Sequence, residues 1–305
     1  MSFIKIKGVI PPMITPFNEN DEMDYEKHVY NIQKWNEYDL AGYLVLGSNS
    51  ETVYLTEEEK LKLVDLTVKH KKDGKIVMVG TGMESTKATI DLTNKAADLG
   101  ADCALIVTPF YYGDKMNDEA LINYYTEVAD KVKIPVLIYN VTKFTHVNIS
   151  PKAVKVLCKH PNIIGMKDSS GSIPQLIDFK RAIGNTEFNL MVGTASAWYP
   201  ALTLGVQGSV MALANCCPQE CIDVQNEYEA GNLEKAKEIY ERVFPVNSAV
   251  TGKYGIAGLK YACDILDFKG GFVRKPLLQL KEQEKNDLTE ILKTADVYQE
   301  LSIAD

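Results

Sequence analysis

The chain has 305 residues, 46% hydrophobic and 24% charged, the composition of a soluble globular protein long enough for one large domain or two ordinary ones. A net charge of −8 with no basic patch argues against a nucleic-acid partner, and no apolar run approaches transmembrane length. Met1–Lys7 carries no apolar signal core or arginine-rich transit segment, and the six cysteines are scattered apart from Cys216, Cys217 and Cys221, so buried free thiols in a reducing, cytoplasmic setting are expected.

In chain order, apolar strand-like runs alternate with helical segments. The runs are Gly8–Ile14, Gly42–Leu46, Ile76–Gly80, Cys103–Val107, Pro135–Tyr139, Ile163–Lys167, Phe188–Val192 and Gly208–Ala212. Asp24, Ser85 and Asp118 can open helices. Thr56-Glu-Glu-Glu59 reads as a capping box ahead of Leu61, Leu63, Val64 and Leu66, and Ser150-Pro151 supplies an N-cap followed by a proline at the first helical position. Gly100, Gly184 and Gly205 stand where helices end. Eight strand–helix units predict an α/β fold, a (β/α)8 TIM barrel over residues 1–216. An open doubly wound sheet is the alternative, but no Gly-x-Gly-x-x-Gly turn follows the first strand. Past the barrel, Pro218–Ala230, Leu233–Val250, Tyr254–Leu266 and Glu282–Ala295 predict a C-terminal helical extension over 217–305, either an appended subdomain or an oligomer interface. No low-complexity linker precedes it, so it should dock on the barrel.

The sixth run ends on Lys167, at the inner end of a buried strand, and breaks at once into Asp168-Ser-Ser-Gly171. Most lysines are solvated surface charges, and that is the bland reading here too. Context points elsewhere. Alternation puts Gly165 on the same face as Lys167, leaving room for its stem, and apolar walls favour the neutral amine that attack on a carbonyl requires.

In a TIM barrel, active sites form where strands end and βα loops begin. Gly47, Ser48, Asn49, Ser50 and Glu51 follow the second strand, and Thr108-Pro-Phe-Tyr-Tyr112 the fourth. Tyr139 and Asn140 end the fifth; Asp168 and Ser169 follow Lys167; Gly193 and Thr194 follow the seventh, and Asn215 the eighth. An amine nucleophile, an inward phenol on the next strand and hydroxyl or backbone donors for an anion suit imine chemistry. Asp168 reads equally as a catalytic carboxylate or a partner for a surface lysine, and Phe110–Tyr112 either joins the site or packs the barrel rim. His28, His70, His146 and His160 show no paired metal spacing and read as surface or capping residues, so no metal is expected.

These residues resemble the dihydrodipicolinate synthase / N-acetylneuraminate lyase family of class I, pyruvate-handling aldolases. The likeness runs from Pro11-Pro-Met-Ile-Thr-Pro16 to Arg274-Lys-Pro-Leu277 and rests on Gly-Ser-Asn-x-Glu at 47–51, Thr-Pro-Phe-Tyr-Tyr at 108–112, Tyr-Asn-Val at 139–141 and Gly-Met-Lys-Asp-Ser at 165–169. It implies that Lys167 forms an imine with pyruvate and that Tyr139 relays protons, with Ser48 linking it to Tyr111 from a neighbouring subunit. Ser48 and Asn49 would hold the pyruvate carboxylate, while Gly193 and Val210 would line the pocket. It further implies a homotetramer, a dimer of dimers, acting on a small 2-oxo acid without metal or organic cofactor.

Departures from the family pattern bear on substrate. Members that condense pyruvate with aspartate semialdehyde carry an arginine where this chain has Phe144, and a proline where it has Thr142. Sialic-acid lyases carry an Asp-Glu pair where Thr194-Ala-Ser196 stands. The pattern Gly-Ser-Asn, Lys-Asp-Ser and Asn247-Ser-Ala-Val250 is most similar to the 4-hydroxy-2-oxoglutarate aldolases, in which Ser169 would help hold the distal carboxylate; Lys143 is a second candidate for that role. The leading expectation is therefore cleavage or formation of a 4-hydroxy-2-oxo acid. The alternatives are 4-hydroxy-tetrahydrodipicolinate synthase and, from a different class, a non-catalytic barrel that binds a 2-oxo acid.

Overall fold

Eight parallel strands form the centre of the molecule, and a computed structural model describes residues 3–299. Strands β1 (Gly8–Ile10), β2 (Gly42–Val45), β3 (Ile76–Gly80), β4 (Cys103–Val107), β5 (Val136–Asn140), β6 (Ile163–Asp168), β7 (Asn189–Val192) and β8 (Gly208–Val210) match the eight apolar runs. They pair in the order β1-β8-β7-β6-β5-β4-β3-β2. Beyond the regular ladder, Leu44 donates to the Pro11 carbonyl and Met13 donates to the Leu44 carbonyl, which brings the chain after β1 against β2 and closes the barrel. Regular β1 pairing ends at Ile10, short of the expected Ile14, because Pro11 and Pro12 have no N–H to give a ladder.

The helices between strands begin where their capping residues stand. α1 (Tyr25–Trp35), α2 (Glu57–His70) and α3 (Thr86–Asp98) are capped by Asp24, Thr56 and Ser85, and the Thr56–Glu59 box forms in both directions. α4 (Asp118–Lys131) starts one residue differently from expectation: Asn117 accepts from the Ala120 N–H, and Asp118 becomes the first helical residue. A short α5 (Thr142–Thr145) precedes α6 (Pro151–Leu157), which Ser150 caps. α7 (Ile173–Ile183) and α8 (Trp198–Thr203) flank β7, and Gly100, Gly184 and Gly205 all take positive φ at helix ends.

Four further helices follow: α9 (Pro218–Glu229), α10 (Leu233–Ser248), α11 (Gly255–Ile265) and α12 (Glu282–Thr294). A π-helical segment, Ala249–Lys253, joins α10 to α11. One apolar cluster runs from β2 and α1 through Trp198, Leu213, Val243, Leu259 and Leu288, so these helices share a core with the barrel. All six cysteines are free and buried within the structure.

His28 corrects the expectation for the histidines. It is 1% exposed, on the face of α1 that meets α2, with Nε2 3.3 Å from Thr67 Oγ1. Thr67 gives its own hydroxyl proton to the Leu63 carbonyl, so Nε2 carries the hydrogen and donates. Burial pushes this imidazole down to about 4, so it sits in the core as a neutral base.

Candidate active site

At the C-terminal ends of the strands a cavity of about 520 Å³ opens between the barrel mouth, α5 and the π-helical segment. Ser48, Asn49, Tyr139, Lys167, Ser169 and Gly193 line its inner end; Lys143, Phe144, Thr251 and Lys253 line its outer part. Strand register explains the centre. Tyr139 of β5 pairs directly with Lys167 of β6, so both side chains enter the barrel mouth together. Lys167 is 3% exposed, and its Nζ lies 4.1 Å from the centre of the Tyr139 ring. Among the described residues it makes no ion pair. The Tyr139 hydroxyl is 3.3 Å from Ser48 Oγ.

The glycine that makes room for Lys167 is not the one read from strand alternation. A Cβ on Gly165 would meet the Asn189 carbonyl of β7 at 2.6 Å, so Gly165 serves strand packing. On Gly193 a Cβ would lie 2.7 Å from Lys167 Cε and 1.8 Å from Ser169 Oγ. Gly193 thus lets the lysine stem and the Ser169 hydroxyl pass β7 into the cavity. Ser169 Oγ is buried and finds no hydrogen-bond partner among the described residues. Leaving such a hydroxyl unpaired costs about 1–3 kcal/mol, so it is a group suited to meet a ligand.

Asp168 takes neither expected role. Its Oδ1 accepts from Asn140 Nδ2 at 2.8 Å and Gln175 Nε2 at 3.1 Å, and its Oδ2 accepts from Ser170 Oγ at 2.5 Å. It pins the loop between β6 and α7 behind the cavity wall. Val210 also stays off the wall, fully buried in the apolar layer that includes Tyr139, Met191 and Ile10. Tyr111 lies outside the cavity of its own chain, 75% exposed and edge-on to Tyr112, with its backbone N–H on the Glu84 carboxylate.

Below Ser48 and Asn49 lies a support that sequence reasoning missed. The 3-10 turn Ser48–Ser50 ends at Glu51, which adopts left-handed φ of 55° and is 1% exposed. Lys260, also 1% exposed, places Nζ 2.5 Å from Glu51 Oε1 and donates to the Phe272 carbonyl at 2.6 Å. Burial lowers its pKa to about 8, with Glu51 opposing the shift. The Arg274 N–H donates to Glu51 Oε2 at 2.8 Å, while its guanidinium grips Glu59 and the Asp21 and Tyr54 carbonyls. Ser50 Oγ donates to the Met13 carbonyl at 2.6 Å, and Thr15 Oγ1 donates to the Ser50 carbonyl at 2.9 Å. The turn that presents Ser48 and Asn49 is therefore held by polar contacts from β1's loop and from the C-terminal helices. The acidic residue in the Gly-Ser-Asn-x-Glu motif was the available signal; its basic partner carried none.

Among the described residues, no group of three His, Cys, Asp or Glu side chains could hold a metal ion. No helix there is long and apolar enough to cross a membrane.

The closed barrel and the site at its mouth define a (β/α)8 enzyme. The chain belongs to the dihydrodipicolinate synthetase family, whose sequence model matches residues 5–295, and it is thereby a pyruvate-dependent lyase of the class I aldolase type. It is 33% identical to the 4-hydroxy-tetrahydrodipicolinate synthase of Thermodesulfovibrio yellowstonii, covering 95% of this chain and 98% of that one. It is also 33% identical to the 4-hydroxy-tetrahydrodipicolinate synthase of Methanospirillum hungatei, over 95% and 99% of the two chains. Among solved structures, the chloride-inhibited dihydrodipicolinate synthase of Acinetobacter baumannii complexed with pyruvate superposes with a TM-score of 0.90 at 27% identity, covering 96% of this chain and all 100% of that one. The nearer likeness to 4-hydroxy-2-oxoglutarate aldolases read from the motifs is not reflected in these names.

Proposed function

We propose that this chain joins pyruvate to an aldehyde, or releases it in the reverse direction, through a covalent imine on Lys167, with no metal or organic cofactor. The amine adds to the pyruvate C2 carbonyl and water leaves. A proton lost from C3 gives an enamine, which attacks the aldehyde carbon; in reverse, cleavage returns the enamine. Tyr139 moves the protons at the imine, passing them through Ser48 to Tyr111 of a neighbouring copy in a homotetramer. Ser48 and Asn49 hold the pyruvate carboxylate, Gly193 clears the path of the lysine, and Val210 backs the pocket from the apolar layer. The setting is cytoplasmic.

The observation that carries this reading is the buried Lys167, without an ion-pair partner among the described residues, beside the Tyr139 ring at the inner end of the cavity. The pyruvate complex named for the Acinetobacter baumannii structure supports it. Borohydride should reduce the imine in the presence of pyruvate and leave a stable adduct on the peptide containing Lys167. An adduct on another lysine, or none, overturns the mechanism.

Two readings of the aldehyde follow, each with its own support. The names of the relatives weigh toward the synthase reaction, condensation of pyruvate with aspartate semialdehyde, and give it the broader backing. One residue of this chain favours the other, aldol cleavage of 4-hydroxy-2-oxoglutarate. Phe144 lines the cavity where the condensing members of the resembled family carry an arginine, and a phenyl ring offers a carboxylate no donor, whereas the distal carboxylate of 4-hydroxy-2-oxoglutarate can meet the Ser169 hydroxyl in the same cavity, unpaired among the described residues. If that loss governs selectivity, the aspartate semialdehyde reaction suffers by roughly tenfold to hundredfold. Measuring kcat/KM for both reactions at equal enzyme concentration separates them: a faster condensation assigns the synthase reaction, a faster cleavage the aldolase.

A further inference from the structure

The charged side chains lining the cavity are Lys143, Lys167 and Lys253, and no Asp or Glu is among its described lining residues. The whole chain carries a net charge of −8, so this is a local reversal of sign. It exceeds what imine chemistry needs, since Lys167 alone supplies the amine. Two further cations at the outer end of the same cavity point to a second negative charge on the ligand.

Their placement fits that purpose. Lys143 lies on α5 and donates to the Thr251 carbonyl at 2.8 Å, tying that short helix to the π-helical segment across the mouth. Lys253 ends the π-helical segment, with its side chain 60% exposed and Nζ 4.7 Å from the centre of the Tyr254 ring. A hydrogen bond to the Tyr254 side chain raises its pKa, Glu284 also faces it, and the half-exposed carboxylate of Asp287 stands 3.9 Å away, a contact that water screens. Phe144 stands next to Lys143 on the same wall. Its ring gives no donor, but the flanking ammonium does.

Resting on the imine reading above, we infer that Lys253 and Lys143 form a distal-carboxylate subsite, so that the substrate is a 2-oxo dicarboxylate whose far end faces the π-helical segment. The first carboxylate meets Ser48 and Asn49, the 2-oxo carbon meets Lys167, and the second carboxylate meets the two ammonium groups. The charge that the resembled condensing enzymes place at the Phe144 position is supplied here from one residue earlier and from the opposite wall. No Asp or Glu is among the described lining residues to receive an amino group, so the subsite suits an amine-free dianion better than an aldehyde that carries an ammonium.

The test uses borohydride trapping of pyruvate on Lys167 in the presence of 2-oxoglutarate or 2-oxopentanoate, two competitors of equal chain length that end in a carboxylate and a methyl group. In the wild-type chain 2-oxoglutarate should protect Lys167 at about tenfold lower concentration than 2-oxopentanoate, the usual scale for a charge-assisted hydrogen bond. In the Lys143→Met, Lys253→Met double variant that preference should fall to near one while pyruvate labelling persists. The Lys143→Arg, Lys253→Arg pair should keep it. Equal protection by both competitors in the wild type, or an undiminished preference in the methionine variant, overturns the subsite but leaves the imine intact. If the wild type yields no pyruvate adduct on Lys167, the imine reading fails and the subsite falls with it. Should the double variant lose labelling altogether, the single Lys253→Gln variant carries the test, with a partial fall expected and no change overturning the subsite.

Discussion

Two lysines are buried among the described residues, and they differ in everything except burial. Lys260 is 1% exposed, meets Glu51 at 2.5 Å, and gives another hydrogen to the Phe272 carbonyl. Lys167 is 3% exposed, faces an aromatic ring, has no carboxylate partner among the described residues, and opens on a cavity. The first is a tie between the Ser48–Asn49 turn and α11. The second is an amine with nothing to do until a ligand arrives. Burial alone therefore does not mark a reactive lysine. The signal is burial without a partner, next to space.

The largest expected effect breaks the comparison from the Lys167 side. Lys167→Ala should abolish pyruvate trapping and turnover while leaving the thermal midpoint close to that of the wild type, because no ion pair is lost. A large loss of stability with residual turnover would show that the two lysines had been assigned the wrong way round. Next comes Tyr139→Phe, which keeps the ring beside Lys167 and removes the hydroxyl near Ser48. Turnover should drop by roughly 10²–10⁴-fold, the share of a positioned acid–base group, while pyruvate trapping continues more slowly. Near-normal turnover would make the phenol a packing residue.

How far the sequence reaches can be judged from the same pair. Lys167 was legible because it ends a buried strand inside a specific motif, and Tyr139 because β5 and β6 carry the same alternation in register. The eight strands and most caps were legible for local reasons, since apolar runs, capping hydroxyls and helix-ending glycines act over a few residues. Lys260 was not legible. Its partner Glu51 lies in another part of the chain, as does Arg274, 223 residues from the carboxylate it caps. The same distance problem hid Lys253, which reaches the cavity only because the π-helical segment folds over the barrel mouth. Gly165 and Gly193 show a subtler limit. Alternation tells which face a residue shares, but which neighbour needs the missing side chain depends on how closely β7 passes.

The third prediction breaks the comparison from the Lys260 side. Lys260→Met removes the ammonium and leaves the Glu51 carboxylate buried with the Arg274 N–H as its hydrogen-bond donor among the described residues and the more distant Arg274 guanidinium as its nearest positive charge. Losing one partner of a buried pair costs about 3–5 kcal/mol, because the remaining charge stays desolvated. Adding Glu51→Gln to that variant should recover part of the loss, since a neutral amide is far cheaper to bury. Urea unfolding of the single and double variants reads both numbers. A single variant within about 1 kcal/mol of the wild type would mean that the pair contributes little, and Glu51 would then not explain how the Ser48–Asn49 turn is held.

The smallest expected effect concerns His28, a third buried base, which unlike the two lysines is kept neutral. Protonation would add an N–H at Nδ1, an atom with no hydrogen-bond partner among the described residues. Its folded pKa of about 4 lies below the unfolded value of 6.5, so the unfolded chain binds more protons between those limits. Stability contributed by the neutral form is therefore fully present above about pH 6.5 and is lost progressively as pH falls toward 4, by about 3 kcal/mol in all. Below pH 4 both states carry the proton and the slope ends. His28→Gln keeps a polar group facing Thr67 but cannot titrate in this range. Between pH 7 and pH 5 the wild type should lose about 2 kcal/mol more than this variant in urea unfolding, whatever the variant costs at pH 7. Equal losses in the two proteins would show that His28 is protonated in the folded core at pH 5, and that some acceptor reaches Nδ1 when it is.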